Sequence, residues 1–155
     1  MKLTRQLLAT GFASLCLTPF TLVAEKAISE SDLPMTVRRT ADELSKGAIV
    51  KGYSQDKESG KVEYEVEMTI GSHSMDVTIA PDGSLMEVEE QVEMTALPTA
   101  VQSGLKAKAG KGSITKVESI TKKGNVVAYE AQVKTGAKLS EIQVGPDGMP
   151  LTLEE

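Results

Sequence analysis

Pro81-Asp82-Gly83 returns as Pro146-Asp147-Gly148, 65 residues further along the chain. It does not return alone. Tyr64-Glu65 recurs as Tyr129-Glu130 and Glu89-Glu90 as Glu154-Glu155, both at offset 65, while Leu33-Pro34 recurs as Leu97-Pro98 at offset 64. Ile49, Gly71 and Val77 find partners in Ile114, Gly136 and Ile142. One inserted residue around Ala109 to Gly112 reconciles the two shifts. Chance supplies one such pair, but not several in one order at a nearly constant spacing. The repeat therefore constrains the fold more than any other feature. The chain reads as two copies of one unit of about sixty residues.

Each copy has the same layout. Leu-Pro opens a short helix, since proline suits a helix start, where its missing N–H has no partner to lose. Val37, Ala41 and Leu44 recur at helical spacing in the first copy; Val101, Leu105 and Ala109 do so in the second. Gly47, and Gly110 with Gly112, stop the helices. Strands follow. From Lys61 to Ile70 polar and apolar residues alternate without a break, with Val62, Tyr64, Val66 and Met68 on one side and Glu63, Glu65 and Glu67 on the other. This pattern describes a strand with one face in water. The second copy repeats it with Val127, Tyr129, Ala131 and Val133 inward and Glu130 and Gln132 outward. A strand from Ala48 to Gln55 precedes, Met75, Val77 and Ile79 belong to the next, and another around Leu85 follows Pro-Asp-Gly. The expected fold class is α+β: a tandem repeat of two units, each one helix packed on a three- to four-stranded antiparallel sheet. The expected boundaries are 25–95 and 96–155, with a short linker from Gln91 to Ala96 that fixes their arrangement.

Residues 1–24 differ from the rest. Lys2 and Arg5 precede an apolar run from Leu7 through Val23, with no acid and with Ala24 at its end. That is the layout of a secretory signal cut after Ala24, and it predicts a periplasmic or secreted protein. The run is broken by Thr10, Gly11, Ser14, Thr18 and Pro19, which disfavours the alternative of a retained membrane anchor. Cys16 is the sole cysteine, and Leu15 before it is too large for a lipoprotein signal. Without that segment the chain has no thiol, so neither disulfides nor cysteine-bound metals are available.

The formal charge is −5 for the whole chain, and −7 without Lys2 and Arg5. Residues 25–95 hold sixteen acids against seven bases; residues 96–155 hold six against eight. An acidic first copy excludes nucleic acid, whose phosphates need a basic stripe. It admits a basic protein partner or divalent cations. Glu63, Glu65 and Glu67 share one strand face, and Asp76 stands on the next strand. Like charges this close repel unless a cation or a basic partner answers them. Glu63, Glu65, Glu67, Asp76, Glu130 and Gln132 are thus the candidate partner-binding residues. The alternative is a charged face answered only by cross-strand lysines and solvent.

Catalytic and cofactor chemistry is not indicated. His73, the only histidine, lies in a "GSHS" turn. A serine triad would need it, and a zinc site would need companions. No phosphate-cradling glycine loop and no EF-hand spacing occur, so calcium would depend on clustered carboxylates alone. No catalytic residue, metal ligand or cofactor is assigned. Pro-Asp-Gly supplies the preset φ, the turn-favouring acid and the left-handed glycine of a hairpin turn, so it reads as structure rather than as a ligand loop. Glu89-Glu90 reads as the exposed tail of the strand that the turn begins.

The order of these motifs resembles the PepSY-like domain in tandem. "LPTAVQSGLKAKAGKGSITKVESI", "VVAYEAQV" and "IQVGPDG" carry the resemblance in the second copy, and it spans nearly all of the chain after Ala24. It implies a small extracytoplasmic, non-catalytic domain associated with restraining peptidases or with envelope proteins. In tandem it is similar to the beta-lactamase inhibitor proteins, whose paired sheets bind another protein. Those inhibitors carry disulfides, which this sequence lacks.

Overall fold

The structure, a computed structural model, describes residues 26–58 and 61–151. The expected signal segment at 1–24 and Glu154-Glu155 lie outside the described residues.

Among the described residues, eight strands run in chain order and pair, each with the next, into one antiparallel sheet. They are β1 (Lys26–Ile28), β2 (Ile49–Glu58), β3 (Lys61–Ile70), β4 (His73–Ile79), β5 (Leu85–Gln91), β6 (Ser113–Lys122), β7 (Asn125–Thr135) and β8 (Lys138–Val144). Two helices, α1 (Met35–Leu44) and α2 (Thr99–Ala109), precede β2 and β6. Each starts one residue after its Leu-Pro proline. Single 3-10 turns, Glu30–Asp32 and Met94–Ala96, lead into them.

The expected class is therefore corrected. The chain does not build two units, each a helix on a small sheet. It is largely β, one continuous eight-stranded sheet carrying two helices. The physical reason lies in β5. A strand left at the edge of a small sheet would expose a row of unpaired N–H and C=O groups. Instead β5 pairs with β6 over five residue pairs, from Glu87–Lys122 to Gln91–Glu118. The stretch expected as a linker is consumed in this joint: Gln91 belongs to β5, and the Val92 N–H donates to the Val117 carbonyl at 2.9 Å.

Both helices cover the same face. Leu33, Val37 and Ala41 pack with Val66, Met68, Val77 and Ile79 of β3 and β4. Leu97, Val101 and Leu105 pack with Val117, Ala131 and Val144 of β6, β7 and β8. Register joins the two regions: Val66 stands opposite Val77, Val77 opposite Val88, and Val88 opposite Thr121. The two apolar clusters share no residue.

One strand assignment needs correction. Val127 was expected inward, but it is 37% exposed, while its neighbour Ala128 is 3% exposed on the opposite face. A bulge on β7 is the cause: Ile120 pairs with Ala128 and Thr121 with Val126, leaving Val127 as the extra residue. One extra residue reverses which side chains point to which face.

The Pro-Asp-Gly turns are built alike. In each, the glycine N–H donates back three residues at 2.8 Å, Gly83 to Ala80 and Gly148 to Gly145. The aspartate carboxylate accepts from the backbone two residues on, Asp82 from Ser84 and Asp147 from Met149, at 2.9 Å in both. Each turn also touches a helix. Thr36 and Thr40 of α1 donate their hydroxyls to the Pro81 and Gly83 carbonyls, both at 2.7 Å. On α2 the corresponding contact is made by backbone, where Gly104 and Ala100 lie against Gly148.

Candidate acidic site on the uncovered sheet face

The face away from the helices is a consequence of register. Directly opposed residues of adjacent strands share a face, so the pairings Glu67–Asp76, Asp76–Glu89 and Glu89–Ile120 set one row across β3 to β6. Gln91–Glu118, Glu118–Glu130 and Glu130–Gln143 continue it across β5 to β8. All six residues named from the sequence lie on this one face. Glu65 and Glu63 flank Glu67 on β3, and Gln132 stands between Lys116 and Glu141.

The centre of the face was not foreseen. It lies between β4 and β6, where one carboxylate oxygen from each of Asp76, Glu89 and Glu118 fits within 4.8 Å of the others. Glu118 is 5% exposed and Ile120 is 4% exposed, although no helix covers them. A face without a covering layer excludes water only where its own long side chains crowd together. Two lysines on β6 answer part of the charge. Lys116 Nζ lies 2.6 Å from Glu118 Oε1, and Lys122 Nζ lies 2.7 Å from Glu87 Oε2. Ser74 places its hydroxyl 3.5 Å from Glu118 Oε1 and donates its backbone N–H to the Gln91 side-chain oxygen at 3.1 Å.

Glu89 bears the unanswered part. Burial disfavours its charged form first. The negative charges of Glu87, Glu130 and Glu118 and a hydrogen bond with Glu87 add to that, and its carboxyl is pushed up to about 8. Burial likewise raises the carboxyl of Glu130. There the Gln143 amide, donating at 2.6 Å, and Lys116 oppose the rise, while Glu141 and Glu118 add to it. A carboxyl that stays protonated near neutrality can donate a hydrogen bond as well as accept one. Glu89 is therefore not the exposed tail expected from the sequence; Glu90, its neighbour, is exposed. The signal was present: Glu87, Glu89 and Gln91 alternate as strictly as Glu63, Glu65 and Glu67 do. What it lacked was the strand on the far side.

His73 is not the turn residue expected: the turn is Gly71-Ser72, and His73 opens β4 opposite Ile70, partly exposed and 3.5 Å from Glu93. A groove of about 630 Å³ beside α2 is lined by small and apolar residues of the helix and of the second Pro-Asp-Gly turn, with Lys108 and Asp147, and includes none of Asp76, Glu89 and Glu118. No helix among the described residues is long and apolar enough to cross a membrane.

No family model matches the chain, and no curated protein matches it in sequence. Solved structures do match its fold. A BLIP-like protein from Bacteroides fragilis aligns with a TM-score of 0.56 at 14% identity, over 77% of this chain and 84% of that one. The fold resembles that of a BLIP-like protein. A protein described as periplasmic, from Bacteroides eggerthii, aligns with a TM-score of 0.65 at 18% identity, over 77% of this chain and 86% of that one. A DUF2874 family protein from Bacteroides ovatus aligns with a TM-score of 0.59 at 14% identity, over 77% and 85%. At these identities the BLIP-like resemblance is one of architecture.

Proposed function

We propose that this chain is an exported, non-catalytic binding module that holds another extracytoplasmic protein against its uncovered sheet face. The observation that carries this reading is the continuity of the face: the acids of β3 and β4 and those of β7 lie on one surface, joined through Glu89 and Glu118. Such a surface is complementary to a partner presenting lysines or arginines, and arginine in particular can bind a carboxylate through two hydrogen bonds. The BLIP-like and periplasmic neighbours support the fold class and the compartment of this reading. The PepSY-like order of motifs supports a peptidase or another envelope component as the partner. The basic, apolar layout of residues 1–24 supports export.

Capture from an envelope extract tests it. The chain beginning at Glu25 is immobilised beside a variant with Glu65→Lys, Glu67→Lys and Glu130→Lys. A second variant, with Glu43→Lys on the exposed side of α1, serves as control. The expected result is a defined partner held by the wild type and the control and lost by the triple variant, with retention weakening as salt rises. Equal capture by all three proteins would refute an acidic docking face.

A second reading has one observation in its favour, the spacing of the Asp76, Glu89 and Glu118 oxygens, which suits a divalent cation such as calcium. A ligand of the native state raises the melting temperature, by about 2.7 kcal/mol of stability at a hundredfold excess over its Kd. On this reading millimolar calcium raises the melting temperature of the wild type and leaves an Asp76→Asn variant unchanged. The same melt in both proteins, with and without calcium, rules the reading out.

A further inference from the structure

β8 is the last strand of the sheet, and on its outer side the described residues make one pairing, Val144 opposite Pro150. From Lys138 to Gln143 no strand lies beside that edge among the described residues. A row of backbone N–H and C=O groups at a sheet edge is a template for one more strand. The first copy shows which strand belongs there. Adding 65 to both members of the β4–β5 pair Ile79–Leu85 gives Val144–Pro150 itself. The bridge is thus the first rung of the β4–β5 ladder, repeated in the second copy.

In the first copy that ladder skips Met86 at a bulge and continues through Glu87, Val88, Glu89 and Glu90, opposite Thr78, Val77, Asp76 and Met75. The same shift carries the pattern to Thr152, Leu153, Glu154 and Glu155, opposite Gln143, Ile142, Glu141 and Ser140. Residues 152–155 lie outside the described residues; β8, its bridge to Pro150 and the repeated sequence speak for them. The chemistry of the rungs fits. Val88, opposite Val77, packs against the first apolar cluster, and Ile142, the residue Leu153 would face, packs against the second. Pro150 lacks an N–H, which the first residue of a strand can spare. Glu154 beside Glu141 would add like charge on the uncovered face, so backbone pairing and Leu153 must hold the segment.

We propose that the outer edge of β8 is a strand-acceptor site and that its occupant is the chain's own segment from Thr152 to Glu155, antiparallel, with Leu153 opposite Ile142. A filled edge leaves the uncovered face, and not the edge, to a partner. Filling of the edge needs no partner, so its failure leaves the binding reading intact.

NMR of the chain from Glu25 onward, beside the same chain cut after Leu151, tests it. Backbone cross-strand contacts between Ile142 and Leu153 are expected in the longer chain, and a register one residue away would not give them. On truncation, amide exchange protection on the outward side of residues 139–143 is expected to fall about tenfold or more relative to β3 and β6. Leu153→Pro, a residue that a paired strand does not tolerate, is expected to reproduce the loss at full length. Protection that survives truncation overturns the assignment. If the truncated chain then also has the mass of two copies by light scattering, the edge belongs to a second chain instead. Should the truncated chain fail to fold, absence of the Ile142–Leu153 contacts in the longer chain overturns it by itself.

Discussion

Gly148→Ala is expected to destabilise the chain by about 2–4 kcal/mol, a drop in melting temperature of more than about 5 °C. Two effects add. Gly148 has φ +78°, a left-handed conformation that a side chain disfavours by roughly 1 kcal/mol. Its Cβ would also meet the Ala100 carbonyl group, closer than real atoms approach, and backbone cannot swing aside as a side-chain tip can. Gly124→Ala separates the effects, because Gly124 has φ +76° but nothing within 4 Å of its would-be Cβ. Thermal melts of the two variants are the measurement. A loss in Gly148→Ala several times that in Gly124→Ala is the expected outcome. Equal losses would mean that the second Pro-Asp-Gly turn does not clamp α2. The repeated tripeptide is thus a fastening as well as a turn. In both turns the glycine lies against helix backbone, Gly83 on Thr36 and Gly148 on Ala100, and the first turn adds two threonine hydroxyls.

Glu89→Gln is expected to stabilise the chain, and only at higher pH. The folded carboxyl titrates near 8 against an ordinary 4.5. Between those values the folded chain holds a proton that the unfolded chain releases, so wild-type stability falls as pH rises through that window. Below pH 4.5 both proteins carry a neutral side chain at this position, and they should melt together. The slope can reach about 1.4 kcal/mol per pH unit for one proton, and solvent screening at this half-buried position reduces it. A gain of about 1–2 kcal/mol is expected at pH 8, or ~3–6 °C in melting temperature. Melts at pH 4, 6 and 8 show whether the gap opens with pH. A constant gap would assign the effect to packing instead of charge.

Local pattern made much of the fold legible. The unbroken alternation from Lys61 to Ile70 marks β3 from end to end, and the spacing of Val37 with Ala41 and of Val101 with Leu105 marks the buried sides of both helices. The turns followed from backbone chemistry that proline, aspartate and glycine carry wherever they occur. Each of these needs only neighbours in sequence. The joining of the sheet does not. Glu87 meets Lys122 across a helix and a 3-10 turn, and no alternation within either strand specifies that register. Parity is lost in the same way at bulges: Ala128 keeps the face that alternation gives it beside Glu130, but Val127 is an extra residue, so Val126 rather than Val127 pairs with Thr121.

The candidate site divides along the same line. Glu63, Glu65 and Glu67 were visible because one strand presents them together. Asp76 followed from the adjacent hairpin, and Glu130 and Gln132 from the matching strand further on. Glu89 and Glu118 were missed because their significance arises only when β5 and β6 meet. Glu118 occupies an ordinary place in "KVES", next to a lysine two residues away. Pairing with Gln91 and Glu130 brings it under the crowd that leaves it 5% exposed.

The uncovered face gathers its negative charge around Glu89, beyond what Lys116 and Lys122 answer. Titration of the glutamate side-chain carboxyl carbons by NMR tests this most directly. One resonance, assigned by its absence in Glu89→Gln, is expected to titrate with a midpoint near 8. A midpoint for Glu89 near the ordinary 4.5 would contradict it.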